Sequence, residues 1–560
     1  MNLSRHWIRR IIFERVKIAK KQVKELRKGS LLNSLSTSLQ KILLSAAGIS
    51  VFASPLMGAS LSDIQALNDK THIEFDEANK IYNITTSLVS SDKKNAFNAF
   101  KTFTLNSNEI ANLHLPDGSQ NLLNFVNSRI DIQGTVNALK NSKIGGNLYF
   151  LSSKGLILGK SGVINAGAFY AMTPHEDVMK KILTNNEVDI NSNYINQIVN
   201  KSITGRNGKT KDSGIWLSSG GEIIVEGQIN TINGIGLYAG GKDYENGQYT
   251  DGGILIKTGA SLNTLNNFNA VVNIDGIEPD IANELIVDDG NIELVSVADT
   301  SEAKNFAEKY ILGSNISKAH AKASVEVDVD ANINSRKNLN IEAISTNGVL
   351  NLQYNTDRNH KYSDASNIAE ISSDISIAGT LKSDASINIT AVSDSNYNRS
   401  NTLLMSIAAM LLAKFTPINI DASVILNDVY TNIDISNNAK LVSSQNINIK
   451  ADTYSNAEAS PSSSATAHST SAVGSGAQPY VPAAGALYFQ NNAGANIDIA
   501  GSLKSDANLD VLAVSENRIH GSATANSSGS QPSVAIVIGH GENTALVNLK
   551  NSSKMYADSF

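Results

Sequence analysis

Four segments of this chain fall into one register when they are aligned on an alanine: Ala343, Ala391, Ala451 and Ala513. Ten positions earlier stand Ile333, Leu381, Leu441 and Leu503. Four earlier come Leu339, Ile387, Ile447 and Leu509, and two earlier Ile341, Ile389, Ile449 and Val511. Residues 374–391 and 496–513 are near copies, each carrying Leu-Lys-Ser-Asp-Ala. In a strand, positions −4, −2 and 0 point to one face, so this apolar set is an inward stripe. Internal repeats that alternate with period two mean stacked units sharing one continuous core. The alanines recur at spacings of 48, 60 and 62, which puts more than one coil in each copy.

Residues 144–173 narrow the fold further, because they read as three short strands with glycine between them. Leu148, Phe150 and Leu151 lie in the first, Leu156, Ile157 and Leu158 in the second, and Val163, Ile164, Phe169 and Tyr170 in the third. Gly155, Gly159, Gly162 and Gly167 mark the turns. A chain that must bend again and again places glycine at its corners. Each strand can then stack on the strand one coil away. The fold predicted is all-β, a right-handed parallel β-helix (β-solenoid) with short helical insertions. At roughly 20–25 residues per coil and ~4.8 Å per coil, about 480 residues of the mature chain wound in coils make a rod of ~100 Å.

Charge and composition bound the function. The chain has no cysteine, which suits passage through an oxidising compartment in an unfolded state. Residues 1–59 hold eleven Lys or Arg and two Glu, a net of +9, so the rest carries −6 − 9 = −15. An acidic body argues against nucleic acid as a partner, since counterion release needs Lys and Arg. Within the first segment a basic stretch, residues 5–41, precedes an apolar run, 42–57. Small residues follow, Gly58-Ala59-Ser60. That order reads as a long signal peptide that engages the inner membrane transiently, with cleavage at Ala59 or Ser60. Ser45, Gly48, Ser50, Ser54 and Pro55 weaken the alternative of a retained anchor.

Along the rest of the chain, residues 172–211 break the β pattern. A short helix is expected after Pro174, in an insertion on the side of the solenoid. A second helix is expected at 300–312, with Thr300 or Ser301 as its cap and Phe306 and Tyr310 on one face. The chain then divides into a signal peptide (1–59), a first β-helix domain (60–299), a helical seam (300–313) and a repetitive solenoid (314–560). Residues 455–476, rich in Ser, Ala and Gly, read as a side-lying loop. The apolar run 403–415 is too short to span a bilayer. Val547, Leu549 and Met555 align with Ile433, Ile435 and Leu441, and the next anchor alanine would fall five residues past Phe560. The solenoid is therefore expected to continue beyond this sequence.

Several of these stretches carry a family resemblance. Phe97-Asn98-Ala99-Phe100, then Asn124-Phe125-Val126-Asn127, resemble the early segments of two-partner secretion domains. Gly155, Gly159, Gly167, Phe169, Ala171 and Thr173 match that family's later signature, and Leu237-Tyr238-Ala239-Gly240 its Leu-x-Ala-Gly strand. Ser152-Ser153-Lys154-Gly155 stands where the family usually has Asn-Pro-Asn-Gly, keeping the turn glycine and losing the Asn-Pro pair. The long leader is similar to those of very large type V exoproteins. The repeats resemble those of fusobacterial filamentous adhesins and of the leukotoxin group. The resemblance implies a secreted or surface-bound virulence protein of a Gram-negative bacterium. Its first domain would be read by the periplasmic domains of an outer-membrane β-barrel transporter. Its motif maps the recognition residues onto Asn98, Phe100, Asn127, Ser152, Ser153, Lys154, Gly155 and Gly159. Its further partner would be a host cell surface.

Some large β-helices are glycan-active enzymes, and others are stalks of contact-dependent toxin carriers, so both readings compete with an adhesin or leukotoxin. The sequence shows no Gly-x-Ser-x-Gly elbow, no His-Glu-x-x-His and no phosphate-binding loop. Nothing assembles a nucleophile, a base and an orienting group, so neither an enzyme nor a cofactor is expected. Glu326, Asp328 and Asp330 would share one strand face, read as solvated in preference to calcium-binding. Asp288-Asp289-Gly290 reads as a turn, and His540 as a lone histidine in a loop.

Overall fold

The computed structural model describes residues 63–203, 214–242, 244–245, 248–249, 251–266, 290–299, 305–310, 314–347, 363–399, 419–459, 462–465, 483–522, 524–527 and 533–558. Chain contacts separate residues 1–61 from 62–560. The expected signal segment with Ala59 and Ser60, the apolar run 403–415 and Asp288-Asp289 lie outside the described residues.

The described residues wind as a parallel β-helix with three ladders of strands. The first turn shows the order. Asn95–Leu105 starts on one ladder with residues 95–100 and crosses to a second with 103–105, and Ile110–His114 lies on the third, in parallel register with Ile81–Thr86 before it. Asn121–Val126 then returns in register one coil on, Asn98 beside Asn124 and Phe100 beside Val126. The three expected strands within 144–173 are present as Asn147–Leu151, Leu156–Leu158 and Val163–Met172. At the N-terminal end two pairings are antiparallel, Thr71–Asp76 on Ile81–Thr86 and Asp63–Ala66 on residues 100–104. These give the first parallel strands a partner that the helix itself cannot supply.

The repeat register is borne out strand by strand. Ala343, Ala391, Ala451 and Ala513 stack in that order, as do Ile333, Leu381, Leu441 and Leu503 on the neighbouring ladder. Leu381 and Leu441 are fully buried. Each copy, however, is one coil and not more. The coil between Leu148 and Phe169 takes 21 residues, whereas that between Leu441 and Leu503 takes 62. The extra residues go sideways, into strands such as Asn419–Ile435 and Ala483–Ile499 of 17 residues each, which extend past the core, and into the connections between them. The ladder through Phe103, Ile130, Leu156 and Ile223 ends at Val547 after nine steps. At ~4.8 Å per step the rod is ~43 Å long, less than half the expected length.

The side extension has a different interior. There the strands of two ladders lie face to face through Ser393, Ser395, Asn427, Thr431, Thr453 and Asn491, all buried. Asn427 Nδ2 donates to Asn491 Oδ1 at 2.8 Å and to Ser455 Oγ at 2.7 Å, and Thr453 Oγ1 donates to Thr431 Oγ1 at 2.8 Å. These six buried polar side chains are tolerated because each finds a hydrogen-bond partner.

Other expectations are corrected. The helix at 300–312 is, over Asn305–Tyr310, a strand antiparallel to the start of Ser314–Val327. A four-residue aromatic spacing is a weak helical signal beside a long neighbouring strand with free backbone groups. Glu326, Asp328 and Asp330 do not share a face, because the strand ends at Val327 and Asp330 turns with φ 62°. Asp328 instead accepts from the Thr258 amide at 3.3 Å. His540 lies within the strand Ser533–Leu549, 3.5 Å from Glu542. Part of the expected loop at 455–476 is strand, in Ile447–Ala459 and Ser462–Ala465.

Candidate functional site

The corner where residues 127–129 leave one ladder for the next is repeated by 152–155 and by 220–222. Ser152 Oγ donates to the Ser128 carbonyl at 2.6 Å and accepts from the Lys154 amide at 3.1 Å. The Ile130 amide donates to Gly155 O at 3.1 Å, and the Leu156 amide to Glu222 O at 2.9 Å. The three turns are thus laced by backbone bonds. Gly155 has φ 90°, and a Cβ there would lie 2.2 Å from Glu222 O. The position requires glycine for both its dihedral and its contact. At Gly159 a Cβ would meet the end of the Gln133 side chain, which can move.

The residues mapped from the secretion motif divide by exposure. Asn98 and Phe100 are fully buried, Asn98 Nδ2 donating to Asn124 Oδ1 at 3.0 Å and Phe100 packing edge-on against Phe103. Ser152, Ser153, Gly155 and Gly159 are buried too. Asn127 and Lys154 are exposed, on adjacent turns, and Arg129 is exposed beside them. Arg129 was not among the expected residues, since no motif position pointed to it. Next along the corner, burial and the nearby Asp251 push the Glu222 carboxyl up from its ordinary range, with Lys242, Lys257 and Arg129 opposing. A partner meeting the folded surface would touch Asn127, Arg129 and Lys154. The buried motif residues are out of reach on that surface.

An outer layer covers the ladder next to this corner. Two helices, α1 (Glu176–Ile182) and α2 (Asn193–Val199), belong to the insertion after Pro174. The first was expected. The second has its own signal in Ser192, whose hydroxyl accepts from the Tyr194 amide. Val178, Ile182, Tyr194, Ile198 and Trp216 pack with Phe97, Leu123, Phe125, Tyr149 and Tyr170, which face outward from the strands. This ladder is therefore apolar on both faces, one against the central core and one against the insertion. Lys181 and Lys201 lie over aromatic rings, 5.4 Å from the Tyr194 centroid and 5.1 Å from that of Tyr170.

Among the described residues no group of three or more His, Asp or Glu is placed to hold a metal ion. No helix among them is long and apolar enough to cross a membrane.

No known protein family matches the chain, and no curated protein does. Among solved structures, the chain is similar to the crystal structure of the HMW1 secretion domain from Haemophilus influenzae. The identity is 12% over 89% of this chain and 98% of that one, with a TM-score of 0.26. A likeness of that degree carries no argument about function.

Proposed function

We propose that this chain belongs to a secreted, non-catalytic surface protein of a Gram-negative bacterium, an adhesin or leukotoxin of the two-partner secretion type. A dedicated outer-membrane β-barrel transporter engages residues 60–299 in the periplasm. The repeats in 314–560 form a stalk that presents the protein to a host cell surface. Nucleic acid has no part in it.

The observation that carries this reading is the coil at 144–173. The stretch with the secretion-like signature is a β-helical turn stacked in register on both sides, and Gly155 stands in it with φ 90° and a backbone oxygen where a side chain would begin. The parallel ladders support the same reading. Each strand pairs with one already in place on its N-terminal side, and the antiparallel pairs at 63–104 supply the first template. A chain emerging N-terminus first can therefore fold coil by coil, without waiting for its far end.

The test is a pull-down with the transporter's periplasmic domains. The intact chain should be retained and a chain lacking 60–299 should not. Equal retention of the two would overturn the assignment of that segment. Substituting Asn127, Arg129 and Lys154 together by alanine, with the β signal in circular dichroism unchanged, separates surface recognition from folding.

A further inference from the structure

Where the insertion stops, the outer face of its ladder opens into a cleft of about 310 Å³. Lys201 and Ile203 form the wall on the insertion side. The floor comes from three successive strands whose register is Tyr238, Val295 and Glu342 in one row, with Val297 beside Ile344 in the next. Glu293 lies one strand from Glu342 and two residues out of line with it. On a sheet, that diagonal puts two side chains about 7 Å apart, close enough for one small cation to sit between them. Tyr238 donates its hydroxyl to Glu293. Glu342 has no hydrogen-bond donor and no cation partner among the described residues. Its floor neighbours Val295, Val297 and Ile344 are apolar.

We propose that this cleft binds a monovalent organic cation, an alkylammonium or guanidinium group on a short apolar stem. Its head lies between Glu293 and Glu342, and its stem lies along Val295, Val297 and Ile344. A hard metal ion fits poorly, because two carboxylates fall short of the six to eight oxygens such ions take. A sugar lacks a platform, since Tyr238 is 2% exposed and offers no ring face. Lys201 at the rim disfavours a second positive charge on the ligand, so a monoamine is preferred to a diamine. The same chemistry is carried by a free amine and by a lysine or arginine side chain of a partner. The proposal is independent of the route of export.

The test uses the full chain and calorimetric titration with four probes: n-butylamine, Nα-acetyl-lysine amide, 1,4-diaminobutane and the uncharged Nα-acetyl-norleucine amide. At least one of the first two should bind, and more tightly than the diamine. Binding of butylamine alone marks a free amine as the ligand, and binding of the lysine amide marks a side chain. Glu342→Gln should weaken binding about tenfold or more, a loss of ~1.4 kcal/mol. Glu293→Gln should weaken it less, because Tyr238 already shares that carboxylate. Affinity should rise with pH as Glu342 ionises. Burial and then Glu293 hold its carboxyl above the ordinary range. Both variants should keep the β signal and be secreted normally. Should Glu342→Gln lose that signal, Glu293→Gln becomes the deciding variant. No binding by either monoamine, equal binding of the norleucine amide, or unchanged affinity in a folded Glu→Gln variant would overturn the proposal.

Discussion

At the scale of single residues, the chemistry lies in which side chain can stand where. Gly155 combines φ 90° with a backbone oxygen 2.2 Å from where a Cβ would be. Gly155→Ala is therefore expected to cost about 1–3 kcal/mol, whereas Lys154→Ala, exposed on the same turn, should stay within about 0.5 kcal/mol. Denaturant midpoints of the two variants check this, and equal midpoints would remove the strain argument. Carboxylates on the outer faces set a pH dependence. Glu222, Glu342, Asp394 and Asp434 are all held above their ordinary range by burial first. The acidic neighbours Asp251, Glu293, Asp452 and Asp498, respectively, add to it. A carboxyl whose pKa is raised by folding binds protons more tightly in the folded state. Its destabilising effect is absent at acid pH, below the unfolded value, and complete above the folded one. These four groups should make the unfolding temperature rise as pH falls from 7 toward 5. For Glu342→Gln the gain over the parent should be present at pH 7 and shrink on acidification. A gain that grows on acidification would contradict the sign.

At the scale of elements, period-two alternation was the legible part. It placed Leu381 inward and Lys382 outward from the sequence alone, and both are so placed. Leu381→Asp should cost several kcal/mol by stranding a charge in the core. Lys382→Asp should cost within about 0.5 kcal/mol. Urea titration of the two variants decides it, and equal losses would mean the register is wrong. Buried asparagines form a row of their own. Asn112, Asn137, Asn165 and Asn230 stack across four coils, each Nδ2 donating to the Oδ1 of the residue before it. Asn165→Ala breaks two of these bonds at once and should cost about 1–3 kcal/mol, read from the same titration, because it strands buried amide atoms. A loss no larger than that of Lys382→Asp would remove the ladder's energetic role. What the sequence hid has physical reasons. The strand at Asn305–Tyr310 depends on the backbone of a neighbouring strand, and no local pattern records that neighbour. Coil length was misjudged because Ser, Thr and Asn inside the side extension look like loop residues. They are buried there only because two sheets close over them.

At the scale of the whole molecule, the fold class followed from the stacking of one register, and the rod length did not. The described chain is about 43 Å of helix with a broad side extension, not a thin rod. Its two ends differ. The N-terminal end meets antiparallel pairs, while the last described coil leaves Ile536, Ile538, Leu546 and Leu549 exposed. Of the expected recognition residues, the motif located the corner turn, but most of its members proved to be buried. A signature records what the coil needs in order to form as much as what a partner touches. The exposed set at that corner, Asn127, Arg129 and Lys154, becomes visible only when adjacent turns are stacked.

The most direct test of the central claim is secretion itself, in Gram-negative cells with and without the cognate outer-membrane β-barrel transporter. The intact chain should appear in the medium or on the surface only when the transporter is present. A chain lacking 60–299 should stay in the periplasm in both strains. Secretion without the transporter, or unimpaired secretion of the chain lacking 60–299, would contradict the account.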